Sequence, residues 1–112
     1  MSPKELARAI VRREGWTGQI DVSLVDDRTI RRLNKSYRRK DRATDVLSFG
    51  YGEEGLLGDV IISEETARRQ AKAYGAPYQE ELQRLVVHGV LHVLGYDHGR
   101  KMSHAEKIYQ EL

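Results

Sequence analysis

The stretch His88-Gly89-Val90-Leu91-His92-Val93-Leu94-Gly95-Tyr96-Asp97-His98 constrains this chain more than any other. Two histidines four residues apart lie on one face of a helix, one turn apart. That spacing lets two ring nitrogens meet one ion at about 2.0–2.1 Å. Gly95 can adopt the left-handed conformation that ends a helix and turns the chain, and the turn can bring His98 back as a third ligand. Three protein ligands leave a tetrahedral ion one open position, the arrangement of a catalytic site. The metal expected is one zinc ion, although three imidazoles also accept nickel and copper. A lone histidine on an apolar face is usually a hydrogen-bonded core residue, and an i,i+4 pair is ambiguous. Three of the chain's four histidines in H-x3-H-x5-H, with a glycine stop between the second and third, read as a ligand set. His104, the fourth, has polar neighbours and reads as a surface residue.

The chain has 112 residues and no cysteine, which suits one domain, residues 1–112, without disulfides or thiolate metal sites. A core of this size leaves little spare interior, so an active site should be an open groove. Lys4, Glu5, Arg8, Arg12 and Arg13 interrupt the apolar residues of the N-terminus and argue against a signal-peptide core. No apolar run approaches the roughly 20 residues that span a bilayer. The expected location is the cytoplasm, with no membrane partner.

The spacing of apolar residues predicts a helix over 3–14 with Leu6, Ile10 and Arg13 on one face, then a half-buried strand over Gln19–Val25 with Ile20, Val22 and Leu24 inward. Asp26 or Asp27 can cap a second helix carrying Ile30, Leu33 and Tyr37 inward and its arginines outward. Val46–Phe49 and Leu56–Ile62 read as strands of a hairpin turning around Gly52 to Gly55. Ser63 with Glu64 and Glu65 has the composition of a helix start, and Gly75 of its stop. Pro77 opens a longer helix that runs through both metal-facing histidines to Leu94, and a short helix follows Lys101. The class expected is α+β: a small mixed β-sheet with about five helices and the metal site at the end of the long helix.

Net charge is only +2, but it is uneven. Between Arg28 and Arg42 stand eight of the 19 basic residues against Asp41 alone, a charge of +7; the remaining eleven bases and sixteen acids leave −5 elsewhere. Such polarisation marks either a polyanion-binding face or a solvated helix face.

The histidine spacing equals that of the metzincin proteases, in which a glutamate follows the first histidine. Here that position is Gly89, so the usual general base for peptide hydrolysis is missing. A closer resemblance covers most of residues 31–98. Leu33-Asn34 through Tyr37-Arg38, Lys40-Asp41 and Thr44-Asp45-Val46-Leu47-Ser48-Phe49, then Leu57-Gly58-Asp59-Val60-Ile61-Ile62, and last HGVLHVLGYDH resemble, in order, three segments of the YbeY family of bacterial metal-dependent endoribonucleases. The resemblance implies a single-stranded RNA substrate, a role in 3′-end maturation of small-subunit ribosomal RNA and in ribosome quality control, and partners among the ribosome or its associated proteins. It places the metal ligands at His88, His92 and His98 and a functionally important arginine at Arg38. Two departures stand out: Ala43 occupies a position that is often proline in the family, and the N-terminus is short where relatives usually carry an extra strand. Asp97 can orient a ligand imidazole or cap a turn, and the spacing assigns no role to Asp45 or Asp59.

The residues support the resemblance independently. Phosphodiester hydrolysis needs an activated nucleophile and positive charge placed against the negatively charged non-bridging oxygens; the histidines and the basic segment can supply both. An arginine suits phosphate because its planar fork donates two hydrogen bonds at once. Two readings compete with an endoribonuclease: a metallohydrolase of another substrate class, and a non-catalytic RNA- or ribosome-binding factor whose structural zinc takes a fourth ligand such as His104 or Asp97.

Overall fold

Ser2 starts the first helix reciprocally: its hydroxyl accepts from the backbone of Glu5, and the Glu5 carboxylate accepts from the backbone of Ser2. In the computed structural model, which describes residues 1–53 and 55–112, that helix is α1 (Pro3–Arg13). It is followed by β1 (Gln19–Val25), α2 (Asp27–Arg38), β2 (Val46–Gly50), β3 (Leu56–Ser63), α3 (Glu64–Tyr74), α4 (Tyr78–Val93) and α5 (Arg100–Gln110). Asp26 caps α2 by accepting from Thr29, Ser63 caps α3, and Gly75 ends α3 at φ 67°. The turn expected around Gly52 to Gly55 includes residue 54, which lies outside the described residues. Among the described residues, no helix is long and apolar enough to cross a membrane.

The three strands lie in the order β1-β3-β2. β2 and β3 pair antiparallel as a hairpin, with Phe49 opposite Asp59, while β1 pairs with β3 in parallel, with Val22 opposite Val60. The result is the expected α+β domain with a small mixed sheet. Leu6 and Ile10 of α1, Val22, Val60 and Ile62 of the sheet, Leu85, Val86 and Leu91 of α4 and Met102 of α5 form the core. Helix α4 packs against the sheet, α1, α3 and α5, so the histidine-bearing helix is the hub of the fold.

Two glycines set how closely α4 lies on the hairpin. A Cβ on Gly89 would come within 2.6 Å of Val60 Cγ1, and one on Gly58 would collide with the Phe49 carbonyl and lie 2.7 Å from Val93 Cγ1. Ser48 Oγ donates to the Gly89 carbonyl at 3.1 Å, tying β2 to α4 at the same crossing.

Several side chains lie elsewhere than their spacing predicts. Tyr37 is 68% exposed, and Asn34 is buried beside the half-buried Leu33. The tyrosine reaches β2, the edge strand, where its ring meets Phe49 edge-on instead of entering the core. Leu24 is 41% exposed, because β1 is the opposite edge of the sheet and leads directly into the Asp26 cap. Arg13 is exposed; the buried stripe of α1 is Leu6, Ala7, Ile10 and Val11. The last helix starts one residue before Lys101 and runs for 11 residues.

Candidate functional site

Helix α4 carries His88 and His92 on successive turns and ends immediately beyond them. Its last carbonyls are taken up in a tight stop: Gly95 N–H donates to His92 and Tyr96 N–H to Leu91, each at 3.0 Å. Gly95 sits at φ 99°, a conformation that disfavours any residue with a Cβ. The chain reverses there and returns His98. Ring centroids are 4.6 Å apart for His88 and His92, 5.1 Å for His92 and His98, and 5.7 Å for His88 and His98. One donor atom from each ring lies within 4.8 Å of the other two, a grouping that can hold a metal ion. Neither Asp97 nor His104 belongs to it, and both are exposed.

The cluster is prepared for a cation chemically as well as geometrically. Burial lowers the pKa of His92, and the neighbouring His88 and His98 lower it further, which favours the neutral imidazole with a free lone pair. His88 Nδ1 stands 3.2 Å from Glu106 Oε2 on α5, and both side chains are about three-quarters buried. With the Nδ1 proton donated to that carboxylate, the Nε2 lone pair is left free. The loop between Gly95 and His98 is anchored from the other end of the chain: the Tyr96 hydroxyl donates to Glu14 Oε1 at 2.7 Å, and the Tyr109 hydroxyl donates to Glu14 Oε2.

Arg38 closes α2 at the edge of β2. Its Nη2 donates to the Ser48 carbonyl at 2.9 Å, and its guanidinium lies 5.7 Å from the centre of the Phe49 ring. Arg39 then takes the left-handed conformation at φ 58°, rare for a residue with a side chain. The chain turns back, with Lys40 N–H donating to the Asn34 carbonyl and the buried Asn34 amide donating to the Arg42 carbonyl. One open cleft is lined by Arg38, Lys40 and Arg42 from this turn, by Ser48 and Gly50 from β2, and by His88, His92 and His98. Among the described residues, the cleft lining contains no carboxylate.

The aspartates left unassigned by spacing have structural contacts. Asp45 accepts from the backbone of Val46 at 2.8 Å and from Gln70. Asp59 accepts from the Tyr51 hydroxyl on the hairpin. Glu106 and Glu14 escape a reading by spacing, because each reaches the site from a distant helix; the short-range signal for Asn34 was its place in the segment beginning Leu33-Asn34.

Comparison with known proteins agrees with this architecture. A family model described as Endoribonuclease YbeY matches residues 4–111. Among relatives bearing that name, one from Aquifex aeolicus is 52% identical over 84% of this chain and 65% of its own length. One from Myxococcus xanthus is 54% identical over 73% of this chain and 30% of its own length, and one from Petrotoga mobilis is 37% identical over 96% and 76%. The chain thus spans just under two thirds of the first relative and less than a third of the second. The solution structure of TM1509 from Thermotoga maritima superposes with a TM-score of 0.74 at 33% identity, covering 97% of this chain and 77% of that one. With nearly its whole length matched by one family and its fold shared with a solved structure, the chain belongs to the YbeY family.

Proposed function

We propose that this chain is a metal-dependent endoribonuclease that cuts single-stranded RNA, holding one zinc ion on His88, His92 and His98. The observation that carries the reading is the meeting of three imidazoles with Arg38, Lys40 and Arg42 in one open cleft. The relatives' name, Endoribonuclease YbeY, supports the same class of reaction. Zinc, when bound, supplies Lewis acidity to a phosphodiester and to the oxygen that attacks it.

The chain's own residues do the rest. Arg38 spends one donor on the Ser48 carbonyl, which fixes its guanidinium at the cleft wall, and its remaining N–H groups can hold non-bridging phosphate oxygens. Lys40 and Arg42 add charge along the path of the strand. The reading extends, on family resemblance, to 3′-end maturation of small-subunit ribosomal RNA and ribosome quality control in the cytoplasm, with ribosomal or ribosome-associated partners.

Two observations weigh against a peptide substrate. Gly89 packs under Val60 with no room for the glutamate that peptide hydrolysis uses. At the outer edge of β2, where an extended peptide could pair, the Ser48 carbonyl is already engaged by Arg38.

The test is cleavage of an end-labelled single-stranded RNA by metal-loaded protein, chelator-treated protein and His92→Ala. Cleavage by the first alone is expected. Arg38→Ala should lower kcat more than it raises KM, because its charge matters most as negative charge develops at phosphorus. Among the described residues, no cleft side chain outside the histidine cluster is placed to deprotonate a 2′-hydroxyl, so the products should lack cyclic phosphate ends. Absence of metal-dependent cleavage of any single-stranded RNA would overturn the assignment.

A further inference from the structure

Cleavage chemistry leaves one exposed feature unused. Tyr37 falls on the inward-facing stripe of α2 by its spacing from Ile30 and Leu33, yet it remains 68% exposed. Its ring meets Phe49 at 5.3 Å between centroids and 63° between planes. Phe49 also carries the Arg38 guanidinium, and that guanidinium is bonded to Ser48, a residue of the cleft wall. Tyr37, Phe49, Arg38 and Ser48 therefore form one continuous run of contacts from an open aromatic ring to the cleft that holds the three histidines.

The geometry points to a second element of recognition: we infer that Tyr37, braced edge-on by Phe49, is a stacking platform for an unpaired base of the RNA strand whose backbone follows Arg38, Lys40 and Arg42. This rests on the endoribonuclease reading above. Phosphate contacts attract any polyanion and carry no preference for strand state. An aromatic face adds one, because only an unpaired nucleotide can turn its base outward onto a ring; in A-form duplex the bases stay stacked inside. Stacking also accepts every base, since each has a π-face. Tyr37 thus selects for single strands without selecting a sequence. The arginine beside it holds the adjoining phosphate, so base and backbone of neighbouring nucleotides are gripped by consecutive residues of α2.

The experiment measures binding of a labelled oligouridylate to the full chain in chelator, where cleavage is suppressed, by fluorescence anisotropy. Parent, Tyr37→Phe, Tyr37→Leu and Tyr37→Ala are compared, each also with an abasic oligoribose of the same length. Stacking on one base is worth about 1–3 kcal/mol, so Tyr37→Ala and Tyr37→Leu should bind oligouridylate about 5- to 150-fold more weakly. Tyr37→Phe should bind like the parent. On the abasic strand all four proteins should bind alike, and the dependence of affinity on salt should be the same in all four, because phosphate contacts are untouched. Leucine keeps apolar packing against Phe49, so a loss confined to alanine would assign Tyr37 a packing role and overturn the proposal. Equal binding of all four to oligouridylate, or an equal loss on the abasic strand, would overturn it too, while metal-dependent cleavage by the parent left the underlying reading standing. A parent that neither binds nor cleaves single-stranded RNA would overturn that reading, and this one with it.

Discussion

The hydroxyl of Tyr96 donates to Glu14 Oε1 at 2.7 Å across 82 positions of sequence, and the same carboxylate accepts from Tyr109 through its other oxygen. Glu14 is the residue that caps the end of α1, and Tyr96 lies in the loop that returns His98 to α4. The first helix therefore helps hold the loop of the third candidate ligand. A hydrogen bond to a charged group contributes about 1.5–3 kcal/mol. Tyr96→Phe should lower unfolding stability by about 1–2 kcal/mol, since Glu14 keeps Tyr109. It should also weaken metal binding by less than His98→Ala does. Urea denaturation and chelator competition measure the two effects, and a variant as stable as the parent would show that the loop is held by backbone alone.

Glu106 should matter to the metal without touching it. Loss of a carboxylate that orients a ligand imidazole typically costs 10–100-fold in metal affinity. Glu106→Ala is expected to lose about that much, and Glu106→Gln, which retains an acceptor for the His88 Nδ1 proton, distinctly less. Competition against a chromophoric chelator reads both. Equal affinities in parent and Glu106→Ala would mean that helix packing alone sets the ring.

Gly89→Ala separates helix propensity from packing. Alanine is favoured over glycine in a helix by about 1 kcal/mol, so a variant judged on the helix alone would be stabilised. Here the new methyl would press on Val60 Cγ1 and lie 3.2 Å from Ser48 Oγ. Overpacking of a core costs about 1–3 kcal/mol, and the collision is between a helix and a sheet that cannot easily part. The net expectation is destabilisation, with altered metal affinity because His88 and His92 flank the crossing. A rise in the urea midpoint would refute the close packing.

The pH dependence of the metal-free protein has a definite sign. Burial, then His88 and His98, lower the His92 pKa below its ordinary value of 6.5. The unfolded chain therefore takes up a proton at a higher pH than the folded one. Stability is fully present above about pH 6.5 and is lost as pH falls toward the folded-state pKa. Urea midpoints of chelator-treated protein should fall between about pH 8 and about pH 5.5, and His92→Gln should flatten that fall. A slope unchanged by the substitution would assign the acid loss to the carboxylates, such as Asp27, whose pKa is depressed by Ser63, Thr66 and Arg69.

Element boundaries were readable wherever a local signal states them. Asp26 and Ser63 open helices, Gly75 and Gly95 end them, and the i,i+4 histidines with a glycine stop need only eleven consecutive residues to define a cluster. What local pattern hides is what depends on partners far along the chain. Glu106 meets His88 only after α5 folds back on α4, and Glu14 meets Tyr96 only once α1 docks. Tyr37 has the right spacing for the core, but the sheet ends at β2, where its ring meets Phe49. Arg39 takes a left-handed turn normally given to glycine, with its N–H bonded to the Lys35 carbonyl.

The short reach of the histidine cluster has a consequence for linkage between metal and folding. All three histidines fall on one eleven-residue segment, whereas the sheet that backs them needs Val22 to find Val60 from 38 positions away. An unfolded chain keeps the first arrangement close at hand while losing the second entirely. A metal ion therefore has something to chelate in the denatured ensemble, and ligand that binds both states stabilises the native one only by the difference. The native site's advantage is what tertiary contact adds: the Glu106 carboxylate behind His88, the clasp on Tyr96, and a helix already wound. Excess zinc should thus raise the melting temperature by less than the native affinity alone implies, with the shortfall growing as free metal rises.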